Sequence, residues 1–129
     1  MKLFTVNEAL EDRGERDGAC LQIEGILNFE TEDICLNHWP KAERHPTPYE
    51  SSIWIEADSA VFSANESVLS RWAGKRVVVL GVFNAAPEKP PKFDGEVSGF
   101  GHFGLWPGKI SARRIDLLKS WAREHATNS

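Results

Sequence analysis

The sequence predicts a mainly β fold with one or two short helices. Three observations carry that prediction. Residues 19–30 alternate strictly, with Leu21, Ile23, Gly25, Leu27 and Phe29 on one face and Cys20, Gln22, Glu24, Ile26, Asn28 and Glu30 on the other, the period-two signature of a half-buried strand. Val77-Val78-Val79-Leu80-Gly81-Val82-Phe83 is apolar on both faces, as a central strand is. Capping signals open only two helical stretches, and both are short.

The first helical signal is Thr5-Val6-Asn7-Glu8, a capping box with Thr5 at the N-cap and Glu8 at N3. It opens a helix through about Asp12, ended by the polar run Arg13-Gly14-Glu15-Arg16-Asp17-Gly18. The long strand over 19–30 follows, and its central Gly25 marks a coil or bulge. Thr31-Glu32-Asp33 is a turn, and Ile34 to Trp39 is a second strand. If residues 28 and 35 pair across this hairpin, Cys20 and Cys35 lie far apart, which opposes a disulfide.

Pro40 to Ser51 contains Pro40, Pro46 and Pro48 and is a loop. Ser52 to Ala57 is a third strand. Ser63-Ala64-Asn65-Glu66 is a second capping box, opening a helix with Val68, Leu69 and Trp72 on its apolar side and Gly74 beyond its C-terminus. Lys75 to Asn84 is the fourth strand. A Pro-, Lys- and Glu-rich loop runs from Asn84 to Val97, and Lys109 to Ile115 is the last strand. The tail from Asp116 to His125 has room for a helical turn or two, with Leu117, Leu118 and Trp121 on one side.

This order is three strands, a helix and two strands, preceded by a short helix. It predicts a five-stranded OB-like barrel with the helix between strands 3 and 4. Another small α+β or β-barrel arrangement is the alternative. The 129 residues are read as one domain, with 1–17 as N-terminal helix and turn, 18–116 as barrel and 117–129 as tail.

Four pieces of this pattern resemble a loose group of small, mostly uncharacterised bacterial proteins with OB-fold-like barrels. They are Ile23 to Glu30, Ser52 to Ile55, Gly74 to Phe83, and Gly101-His102-Phe103-Gly104-Leu105-Trp106-Pro107-Gly108-Lys109-Ile110. The fourth piece is the most specific. The resemblance implies a bacterial source and a barrel over about residues 20–116, and it brings no established activity with it.

Composition narrows the function classes. The chain is 41% apolar and 26% charged, ordinary for a globular protein. No apolar run reaches the ~20 residues of a membrane helix, and the polar start is unlike a signal peptide, so a cytoplasmic location is expected. The two cysteines, Cys20 and Cys35, are too few for a disulfide scaffold. Net charge is −4, but residues 1–64 carry 5 Lys/Arg against 13 Asp/Glu, while residues 65–129 carry 10 against 6. Such a split, if it survives folding, steers charged partners.

No metal or nucleophile motif is present. Cys35 and His38 are three apart, on opposite faces of a strand, and there is no C-x-x-C, H-x-x-x-H or H-E-x-x-H spacing. There is no G-x-S-x-G elbow and no P-loop. No cofactor, metal or catalytic set is expected.

The specialised stretch is Gly99 to Gly108, which holds four of the ten glycines together with His102, Phe103 and Trp106. His102 is the best single acid-base candidate, with Asp94 and Glu96 near it in sequence. Its structural alternative is one hydrogen bond inside a bent strand. Trp39, Trp54, Phe93, Phe100, Phe103 and Trp106 supply rings for base stacking, and Lys89, Lys92, Lys109, Arg113 and Arg114 supply charge. Their alternative is core filling.

Glu30, Glu32, Asp33, Glu43, Glu50 and Glu56 gather on the strand 1–3 side. They suit a basic protein partner, or form a plain solvated face. The sequence therefore predicts a non-enzymatic binding module. A protein partner, in the manner of an inhibitor or immunity protein, is the leading expectation. Single-stranded nucleic-acid binding comes second, and an enzyme using His102 third. The expected binding residues are Trp39, Trp54, His102, Phe103, Trp106 and Arg113.

Overall fold

The computed structural model describes residues 2–30, 33–47, 49–57, 66–86 and 106–126. The strands are β1 (Leu3–Thr5), β2 (Cys20–Glu30), β3 (Asp33–Asn37), β4 (Ser52–Ala57), β5 (Arg76–Ala85) and β6 (Gly108–Leu117). The helices are α1 (Val6–Glu11), α2 (Arg13–Arg16), α3 (Glu66–Trp72) and α4 (Leu118–Ala126).

The sheet order is β1-β2-β3-β4-β6-β5, and β5 also pairs with β2, which closes a ring of five strands. All neighbours in the ring are antiparallel except β4 and β6, which run parallel. The fold is thus mainly β with short helices, as the alternation of residues 19–30 and the apolar run at 77–83 predict. The strand that the sequence hid is β1, only three residues long and parallel to β2. Counting it shifts the numbers, so the helix expected between strands 3 and 4 lies between β4 and β5.

The ring closes because β2 is long enough to change partners. Cys20 to Ile26 pair with β5, and Ile26 to Glu30 pair with β3, with Asn28 opposite Cys35. Gly25 sits at the change. A Cβ there would lie 2.6 Å from the Asn37 carbonyl oxygen and 2.8 Å from Leu36 Cγ, so only glycine lets the two backbones approach. No disulfide joins Cys20 and Cys35; Cys20 pairs in register with Val82, at the other end of β2 from Cys35.

The interior is filled from every strand of the ring and from two helices. Ile23, Leu27, Leu36, Ile53, Ile55, Val77, Val79, Phe83 and Ile110 are almost fully buried. Helix α1 adds Val6, Ala9 and Leu10, and α3 adds Leu69. The expected capping box at α1 is present: Thr5 Oγ1 accepts from the Glu8 amide, and Glu8 Oε1 accepts from the Thr5 amide. The Ser63 capping box lies outside the described residues. Beyond the end of α3, Gly74 has φ +82° and its amide donates to the Leu27 carbonyl. Helix α4 runs longer than the tail suggested, and Trp121 Nε1 donates to Gln22 Oε1 on β2.

Candidate functional site

Strands β3 and β4 have one face inside and one outside. Leu36, Ile53 and Ile55 point into the core. By the period of two, Cys35, Asn37, Ser52 and Trp54 point the other way. Asn28 of β2 joins that outer face through its pairing with Cys35.

The connection from β3 to β4 folds back over this face. The His38 amide donates to the Ser51 carbonyl at 2.9 Å, extending the β3–β4 ladder. A 3-10 turn, Lys41–Glu43, follows. Arg44 Nε donates to the His38 carbonyl at 2.7 Å, and the His45 amide donates to Ser51 Oγ at 2.9 Å. These bonds hold the connection as a wall over the sheet.

Between wall and sheet lies an open recess of about 350 Å³. Its floor is Asn28, Cys35 and Asn37, its near side is Ser51, Ser52 and Trp106, and its outer wall is Arg44, His45, Thr47 and Tyr49. Tyr49 is the exposed large apolar side chain of the described residues, at 37% exposure. Its ring meets Trp106 edge-on, with centroids 4.7 Å apart, and Trp54 tilts against Trp106 at 5.1 Å. Trp106 itself is buried, and its Nε1 donates to Ser52 Oγ at 2.9 Å.

Tyr49 has φ +77°, a left-handed conformation that costs a non-glycine residue of order 1–2 kcal/mol. Strain of this kind gathers at ligand clamps and switches. The structure keeps a bulky ring at the mouth of the recess where glycine would be easier.

The expected site residues divide into three groups. Trp54 and Trp106 are brought together, but as a support behind Tyr49, and Trp106 is buried rather than offered to solvent. Trp39 is half-buried elsewhere, with the Arg76 guanidinium 5.3 Å above its ring. Arg113 is exposed, and it is the extra residue of a β-bulge: Leu80 pairs with Arg114 and Gly81 with Ala112. Trp54 pairs with Lys109, so Arg113 lies about 13 Å further along at ~3.3 Å per residue. His102 and Phe103 lie outside the described residues, as do Asp94 and Glu96.

Of the basic residues expected to supply charge, Lys109 and Arg114 are paired, Arg113 has no ion pair among the described residues, and Lys89 and Lys92 lie outside them. Lys109 Nζ meets Glu56 at 2.9 Å, Arg114 meets Asp116 at 2.7 Å and Glu124 at 3.2 Å, and Arg76 meets Glu24 at 3.1 Å. The Asp116 carboxylate, with Glu124 behind it, pushes the Arg114 pKa up from its ordinary value. Of the acidic set, Glu30, Glu43, Glu50 and Glu56 are exposed, while Glu32 and the side chain of Asp33 lie outside the described residues. Among the described residues no three His, Cys, Asp or Glu side chains converge as a metal-ligand set, and no helix is long and apolar enough to cross a membrane.

Sequence reasoning missed the wall. Arg44, His45 and Tyr49 lie in a proline-rich segment that reads as plain loop, and only the exact strand pairing folds it over the sheet. The available signal was the alternation in β3 and β4, which leaves Cys35, Asn37 and Ser52 on an outer face too polar for a core and too enclosed for open solvent.

No protein-family model matches the chain, and no curated protein does. The chain is similar in structure to a DUF3299 family protein from Pseudomonas aeruginosa PAO1, at 12% sequence identity and a TM-score of 0.43, over 80% of this chain and 63% of that one.

Proposed function

We propose that this chain is a non-enzymatic binding module, a bacterial cytoplasmic OB-like barrel whose partner is another protein, in the manner of an inhibitor or immunity protein. The observation that carries the reading is the outer face of β3 and β4. There an exposed, strained Tyr49 stands on a buried Trp106 beside an open recess. Tyrosine and arginine are over-represented among residues that dominate protein interfaces, and a polar rim around them is usual. In barrel numbering these are strands two and three, the face that OB-like barrels use for ligands. Exposed Glu30, Glu43 and Glu50 on the same side of the chain favour a basic partner.

Single-stranded nucleic acid is the second reading, and two observations weigh against it. Stacking needs open ring faces beside unpaired cations. Trp106 is buried, and Lys109 and Arg114 are bound to carboxylates.

Tagged wild-type protein and Tyr49→Ala, recovered from the native host, test the proposal. Wild type is expected to bring down one stoichiometric protein that Tyr49→Ala loses while keeping its melting temperature. Recovery of both as lone chains overturns it. Short oligonucleotides at low salt are expected to give no anisotropy change. A salt-dependent rise would move the conclusion to nucleic acid.

A further inference from the structure

We infer that the recess on the outer face of β3 and β4 is a carboxylate-binding site, with Arg44 as its cation and Tyr49 as the ring that covers the ligand. The inference rests on the reading of this face as the contact surface and names the chemical group that enters it.

Among the described residues, the lining of the recess is rich in donors and contains no carboxylate. That is unexpected in its setting, because residues 1–64 carry 13 Asp/Glu against 5 Lys/Arg. Arg44 uses Nε for the His38 carbonyl, and its two terminal nitrogens have no hydrogen bond or ion pair among the described residues. The guanidinium is thereby anchored at one edge and open at the other, the geometry in which arginine binds a carboxylate through parallel N–H groups. Asn37 accepts at Oδ1 from Cys35, which leaves its NH₂ group as donor. The His45 ring has no partner among the described residues, its backbone amide being held by Ser51.

The nearby carboxylates are directed away. Glu43 Oε1 lies 3.5 Å from His38 Nε2, and Glu50 lines the neighbouring recess with Asn7, Leu10 and Arg13. Among the described residues nothing neutralises Arg44 from within the recess. An arginine left half-anchored in a partly enclosed site costs desolvation that an arriving anion repays. A singly charged carboxylate suits the site better than a phosphate dianion, because the surrounding half-chain is acidic and repulsion grows with ligand charge. The ring edges of Tyr49 and Trp106 bound the same space, so a carboxylate joined to a flat apolar group fits best.

The carboxylate is either an acidic side chain of a protein partner or a free small molecule, and one titration series separates them. ¹H–¹⁵N spectra of the full chain are followed through the Trp106 and Trp54 indole signals. Benzoate is the small-molecule probe, benzyl alcohol its neutral counterpart, and a blocked peptide with one glutamate the partner mimic. Saturable shifts with benzoate or the acidic peptide, absent with benzyl alcohol, are expected. Arg44→Gln is expected to weaken them at least about tenfold, the loss typical of a charge-assisted pair. Saturation by benzoate alone assigns a free metabolite, and saturation by the peptide assigns a partner side chain.

Equal shifts from benzyl alcohol, or full binding by folded Arg44→Gln, overturn the inference. Should Arg44→Gln fail to fold, Asn37→Ala gives the second reading, with a weaker but measurable loss expected and an unchanged titration counting against the site. If the Tyr49-dependent partner persists while no carboxylate binds, the protein-binding proposal stands and this inference falls.

Discussion

The two faces of β3 and β4 are built from the same strands, yet they obey different rules. Inside, Leu36, Ile53 and Ile55 are apolar and almost fully buried. Outside, Asn37, Ser52 and Trp54 are covered by a wall of loop, and the cover is incomplete, leaving a recess with a strained tyrosine at its mouth. The inner face satisfies packing and nothing else. The outer face keeps a guanidinium with no carboxylate partner among the described residues and a left-handed tyrosine, features that packing alone would remove. On the proposed reading, stability and recognition are divided between the two sides of one sheet, so each can be damaged alone.

The largest effect is expected inside. Phe83→Ala empties the volume of a fully buried ring and is expected to cost about 3–5 kcal/mol in urea unfolding. Next is Gly25→Ala, whose methyl would meet the Asn37 carbonyl at 2.6 Å. Overpacking of this kind costs about 1–3 kcal/mol, and a loss under half a kcal/mol would mean that β2 does not change partners where it is described to. On the outer face, Trp106→Phe removes the indole donor to Ser52 Oγ and is expected to cost about 1 kcal/mol.

Tyr49→Gly sharpens the contrast most. Relief of the left-handed backbone, about 1–2 kcal/mol, opposes loss of the edge contact with Trp106, about 0.5–1.5 kcal/mol. Melting is expected to change little while partner recovery disappears.

The smallest effect concerns pH. The Thr5 amide, with further help from the Thr5 side chain and Lys2, holds the Glu8 carboxyl below its ordinary value against the opposing effect of burial. A group whose folded pKa is depressed adds stability above its unfolded pKa, ~4.3, and loses it as pH falls through the lower folded value. Glu8→Gln is therefore expected to make the acid limb of a stability-against-pH curve shallower below about pH 4.3, by less than the ~1 kcal/mol of losing the N-cap itself in Thr5→Ala.

Much of the ring was legible because its signals are local. The alternation of Leu21, Ile23 and Leu27, the Thr5–Glu8 capping box and the Asn28–Cys35 pairing all depend on neighbours in sequence or across one turn. Strand β1 was not legible, because Leu3-Phe4-Thr5 is too short to show a period and forms only by pairing with residues 22–24. The aromatic set left stacking and core filling both open, because nothing local in Trp106 says that its Nε1 finds Ser52, 54 residues away. The recess was hidden for the same reason, since Arg44, His45 and Tyr49 meet Asn28 and Cys35 only once the hairpin and the wall have closed.

Two hydrogen bonds join the wall of the recess to helix α1. His38 is 1% exposed, and its Nδ1 accepts from the Asn7 amide in the first turn of α1, while Asn7 Nδ2 donates to the Glu43 carbonyl. The wall and helix α1, which packs into the core, thus share hydrogen bonds. A ligand that steadies Arg44 and Tyr49 steadies that helix too, by the reciprocity that governs coupled sites. Slower amide exchange at Asn7 on ligand addition would register this linkage, and the first turn of α1 would then serve as a reporter of occupancy in the recess.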